Sequence, residues 1–179
     1  MGARRRRATR QLTAAAILVA LGVVFLALGA LVEVLDLSMA AVASLCVAFA
    51  VIELGGKWPY LIYFGISLLA VLLLPVKTPA LLFALFAGYY PIVKALLERR
   101  FSRPVSWVFK ILTFEVALGL ILLLGFKLFL LADVAWQPLY FAVFPLGALI
   151  FLLYDVALTR LITAYLYRLR HRFRFLHDD

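Results

Sequence analysis

Residues 12–32 read Leu-Thr-Ala-Ala-Ala-Ile-Leu-Val-Ala-Leu-Gly-Val-Val-Phe-Leu-Ala-Leu-Gly-Ala-Leu-Val, a run without a single charge. At ~1.5 Å per helical residue such a run spans about 30 Å, the thickness of the hydrocarbon layer of a bilayer. Arg4, Arg5, Arg6, Arg7 and Arg10 stand immediately before it. The apolar stretch is longer than the core of a cleaved leader and has no small-residue cleavage site, so it is expected to be a retained helix.

The rest of the chain repeats that pattern. Five further apolar segments are expected to span at 39–54, 58–74, 78–97, 105–126 and 137–160. Of the 179 residues, 67% are hydrophobic and 15% charged, and mean hydropathy is +1.11. A soluble domain is nearer half apolar and a quarter charged. A chain this size cannot hide so much apolar surface from water. The expected fold is therefore an all-α, six-helix transmembrane bundle forming a single domain over 1–179. Gly55-Gly56 and Pro59 mark one turn and Pro75 and Pro79 another, while Pro91 is expected to kink the fourth span.

The net charge of +9 does not point to nucleic acid, because the basic residues flank the apolar segments. If the N-terminus is inside, fifteen of the eighteen Lys and Arg residues fall on inner segments. Lys77 and Lys127 fall outside, and Lys110 lies within a helix. The positive-inside rule then puts both termini on the cytoplasmic side of the cell membrane. Trp58 and Trp107 would lie at the inner interface and Trp136 at the outer one. The stretch after 160, with Arg168, Arg170, Arg172 and Arg174 among aromatics, is expected to be a basic amphipathic extension against anionic headgroups.

Charged side chains in a span cost about 2.5–3.5 kcal/mol each at its centre, so each needs a reason. Glu53, Lys94, Lys110 and Asp155 come from four different spans and sit near the inner edge; Glu115 lies deeper. Lys110 and Glu115 are about 140° apart on a helix, which favours pairing across helices. Lys94 or Lys110 is expected to meet Glu53, Glu115 or Asp155, with hydroxyls from Tyr89, Tyr90 and Tyr154 in the same layer. Such a layer serves either as an ion relay or polar pocket, or as an ionic lock on helix packing. At the other face, Glu33, Asp36, Trp136, Gln137 and Tyr140 form a candidate outer ligand pocket, with ordinary interfacial anchoring as the alternative. No nucleophile elbow, phosphate loop or metal-ligand spacing is present in the sequence, so no enzyme activity, cofactor or metal is expected.

Ala16 and Ala20 put two small residues on one face of the first span, where another helix can approach closely. With this pair, its size and its six spans, the chain resembles the substrate-binding subunits of energy-coupling-factor transporters. The resemblance implies uptake of a vitamin-like molecule, with Ala16 and Ala20 docking a transmembrane coupling subunit whose partner ATPases supply the energy. Two other functions stand beside it: a non-transporting scaffold subunit, and a proton-coupled or lipid-handling carrier using Glu115.

Overall fold

A computed structural model describes residues 2–128 and 139–169. All regular structure among those residues is helical. Helix α1 is Gly2–Leu31, α2 is Asp36–Glu53 and α3 is Trp58–Leu73. Helix α4 covers Thr78–Arg100 in three pieces, α5 is Arg103–Leu128 and α6 is Leu139–Ala164. Five of the six are long and apolar enough to cross a membrane. The exception is α3, whose 16 residues cover roughly 24 Å at the usual rise. Its C-terminal end is capped from the next turn, where the Lys77 ammonium donates to the carbonyls of Val71 and Leu74 at 2.7 and 2.6 Å.

Local sequence sets the breaks. Gly55 and Gly56 adopt φ of 61° and 55°, a left-handed turn that L side chains resist. The Gly55 amide closes α2 by donating to Ala50 O at 2.9 Å. Pro59, Pro79 and Pro91 all sit at helix starts, where their missing N–H costs nothing. Pro91 does more than kink the fourth span. Residues Phe83–Ala87 form a π turn, and a two-residue break at Gly88 and Tyr89 precedes the helix resuming at Tyr90. Pro91 cannot donate to Ala87 O and its ring would crowd that carbonyl, so the widened turn relieves both constraints. In the same segment Tyr63 of α3 donates to Ala84 O at 2.7 Å, filling an acceptor that the irregular turn exposes.

Two cores result. Helices α1 to α4 pack through small and branched residues, with Ala40, Ala43, Ala50, Ala70 and Ala80 around Leu26, Ile62 and Ile66. Small residues let helices approach closely, which is how bundles gain dispersion energy in lipid. Gly22 is one such point: a Cβ there would lie 2.5 Å from Ile66 Cδ1. The second core is aromatic. Tyr90, Phe114 and Phe151 are buried, with Phe86 and Tyr154 packed against them. Phe114 of α5 stacks on Phe151 of α6 with ring centroids 4.9 Å apart. Helices α5 and α6 pack on one another and reach the other four chiefly through α4.

Gly88 shows how tightly the break is built. A Cβ there would sit 2.6 Å from Phe83 Cε1 and 2.7 Å from Tyr63 Cδ2, both ring atoms. Gly119, in α5, would meet nothing within 4 Å. Gly88→Ala is therefore expected to cost about 1–3 kcal/mol by overpacking. Gly119→Ala is expected to be neutral or to stabilise by up to about 1 kcal/mol. Unfolding of both variants in mild detergent checks this, and equal effects would contradict it.

Candidate functional site

One end of the bundle holds a connected group of charged and hydroxyl side chains. The fourth helix supplies Tyr90, Lys94 and Glu98, α5 supplies Lys110, and α6 supplies Asp155 and Thr159. Tyr90 and Lys94 are four apart and so share the face of α4 that meets α6; Lys94 and Glu98 repeat the step one turn on. Lys94, Lys110 and Asp155 are only 3%, 3% and 2% exposed, which is burial from lipid and water alike.

Asp155 is the hub. One carboxylate oxygen accepts from both the Tyr90 hydroxyl and the Lys94 ammonium. The other lies 3.4 Å from the Lys110 ammonium. Lys94 also donates to the Thr159 hydroxyl at 2.8 Å, and Thr159 in turn donates to Asp155 O at 2.7 Å. Lys110 donates to Glu98 at 2.6 Å and lies 5.2 Å from the centre of the Trp107 ring. Lys94 and Glu98 pair at 3.1 Å. Two ammonium groups thus face two carboxylates. Each buried charge has an opposite charge and a further hydrogen bond, the condition under which such charges are tolerated in an apolar medium.

The residues expected in one polar layer separate into several places. Lys94, Lys110, Tyr90 and Asp155 come together. Glu53 does not join them; at the end of α2 it accepts from Tyr165 at 3.1 Å, tying α2 to the π turn Tyr165–Leu169 that follows α6. Tyr89 turns toward Tyr63, edge to face at 6.3 Å. Glu115 is half-buried on a flank of α5, away from the face that holds Lys110 and Phe114, and takes no part in the four ion pairs. Tyr154 sits above the cluster, bonded at 2.8 Å to Ser44 of α2. Ser44 spends its proton on Ala41 O, so Tyr154 is the donor.

Glu98 went unnoticed in the sequence because it stood in what reads as a polar link. Helix α4 continues through it to Arg100. The Lys94-to-Glu98 step of four residues is the signal that points to it.

Beyond the aromatic layer, α2, α4, α5 and α6 line a half-open cavity of about 570 Å³. Its wall includes Ala41, Phe86, Phe114, Leu118, Gly147 and Phe151, with Ser38 and the Tyr154 side chain adding polarity. This is the size of a small-molecule site, and its lining is almost wholly apolar. The candidate outer pocket is a different set of residues. Asp36 is half-buried at the start of α2, one residue before the cavity wall begins at Leu37. Trp136 and Gln137, and the side chains of Glu33 and Tyr140, lie outside the described residues, as does the chain beyond 169.

Ala16 and Ala20 are both exposed; their neighbour Ala15 is the one that packs inside. With Leu12, Val19, Trp58 and Leu61 they line an open groove of about 450 Å³ between α1 and α3.

Comparison with known proteins finds no family model, curated protein or solved structure that matches the chain.

The ion-pair cluster leads to a stability prediction. Asp155→Asn removes the shared counter-charge of two buried ammonium groups and is expected to cost about 3–5 kcal/mol. Glu98→Gln is expected to cost less, because the Glu98 side chain is 48% exposed and water screens the charge left behind. Thermal unfolding of the two variants in the same detergent checks the order, and a reversed order would contradict it.

Proposed function

We propose that this multi-pass membrane protein is a non-enzymatic binding subunit, taking a small and largely apolar molecule into the cavity among α2, α4, α5 and α6. The observation that carries this reading is the cavity itself: about 570 Å³, walled by aromatic and aliphatic side chains, with only Ser38 and Tyr154 to orient a ligand. Burying such a ligand stabilises it by roughly 25 cal/mol per Å² of apolar area, and the two hydroxyl-bearing residues supply selectivity. In this reading the inner ion-pair cluster is a floor that holds α4, α5 and α6 in position. It is not a relay, because its charges already neutralise one another.

The same reading assigns the protein to the cell membrane as a single domain with both termini in the cytoplasm. It keeps the likeness to the substrate-binding subunit of an ATP-driven uptake transporter. The exposed Ala16–Ala20 groove supports that part: close-approach residues of this kind need a second helix, and among the described residues none covers them. The coupling subunit would dock there.

Two experiments follow. Native mass spectrometry from mild detergent is expected to find a small apolar molecule on the wild type. Ala157→Phe, which narrows the cavity from an exposed position on α6, is expected to abolish that mass without lowering thermal stability. A ligand-free wild type, or a ligand retained by the variant, overturns the reading. For the groove, Ala16→Leu with Ala20→Leu is expected to leave the purified chain as stable as the wild type and to abolish crosslinking to a transmembrane partner in native membranes. Unchanged crosslinking counts against docking on this face.

A further inference from the structure

The start of α5 holds a second site, independent of the apolar cavity. Ser106 is 3% exposed, and its Oγ has no hydrogen-bond partner. The hydroxyl does not use the Ser102 carbonyl one turn back, which the Ser106 amide takes at 2.9 Å. A buried hydroxyl left unbonded costs about 1–3 kcal/mol, so such groups are rare unless something else binds them. Ser106 lines a pocket of about 460 Å³ together with Arg103, Trp107, Lys110, Glu98 and Asp155.

The electrostatics of that pocket favour an anion. Glu98 and Asp155 are already met by Lys94 and Lys110. Arg103 then remains as one positive charge in excess, exposed at the rim. The pocket also lies at the N-terminus of a 26-residue helix, whose dipole favours negative charge. Hydroxyl, guanidinium and ammonium donors from three different residues of the lining suit an oxyanion with several oxygens. By the positive-inside reading, this end of α5 sits at the depth of lipid phosphates, and Trp107 is the kind of ring found at that level.

We propose that Arg103, Ser106 and Lys110 form a phosphate-binding site at the inner interface, which takes the phosphate of an anionic lipid headgroup or a free phosphate.

The test uses the full chain in phosphatidylcholine nanodiscs, with phosphatidic acid as a minority lipid in one arm and inorganic phosphate added in another. Native mass spectrometry is expected to show phosphatidic acid retained in preference to phosphatidylcholine. Arg103→Gln and Ser106→Ala are each expected to weaken that retention roughly tenfold, the value of one hydrogen bond to a charged group. Arg103→Lys is expected to recover part of it. Arg100→Gln, an exposed cation at the same level that does not line the pocket, is the control and should leave retention unchanged. If inorganic phosphate raises thermal stability and displaces the lipid, the source is soluble phosphate; if it does neither while phosphatidic acid binds, the source is the headgroup. Retention of neither probe, or equal losses in Arg100→Gln and Arg103→Gln, overturns the proposal. Should Ser106→Ala lower stability without ligand, the exposed Arg103 variants decide the matter alone.

Discussion

The arrangement of the second half of the bundle turns on one carboxylate. Asp155 accepts from Tyr90 and Lys94 of the fourth helix and faces Lys110 of the fifth. A single buried charge on α6 thereby fixes two neighbours at once. In lipid there is no hydrophobic force to press helices together, so polar contacts and close packing set the geometry. A charge without its counterpart in that medium is costly, which makes the register of α4 against α6 discrete and not a matter of sliding. The break at Gly88 and Tyr89 matters to the same end, because the turn before Pro91 sets the direction in which Tyr90 and Lys94 leave it.

The two halves are built by different means. Helices α1 to α4 approach one another closely through alanine and glycine. The α5–α6 pair is held at one end by ion pairs and at mid-height by stacked rings. Above those rings the walls of α2 and α6 stand apart, and the 570 Å³ cavity occupies the space. A tight lower clamp with an open upper half is a natural way to keep a binding volume in a bundle this small. It also matches the asymmetry between a half that carries the ion pairs and a half that is nearly plain.

The helices were legible in the sequence because their signal is local. Runs such as 12–32 announce themselves by length and lack of charge, and the turns by Gly55-Gly56 and by proline at helix starts. The π turn at Phe83–Ala87 was only half legible: Pro91 announces a disturbance, but not which hydrogen-bond pattern absorbs it. Within the candidate site, the intramembrane charges were legible as exceptions and their pairing was not. Lys94, Lys110 and Asp155 converge, whereas Glu53 and Glu115, equally visible in the sequence, face elsewhere. The cavity residues carried no signal at all, since an apolar side chain lining a void looks the same in sequence as one filling a core.

By itself, then, the sequence determined a membrane-embedded, all-helical chain and which polar groups had to find partners. Those properties follow from the free energy of each segment against water and lipid, which is a sum over neighbouring residues. Tertiary structure alone decided which partners were found, that Ala15 faces inward while Ala16 and Ala20 face out, that Ser106 is buried with its hydroxyl unbonded, and where space remains. These depend on the rotation and separation of whole helices. A turn of one helix by a single residue moves a side chain through about 100°, and no local pattern in an almost uniformly apolar chain records that angle.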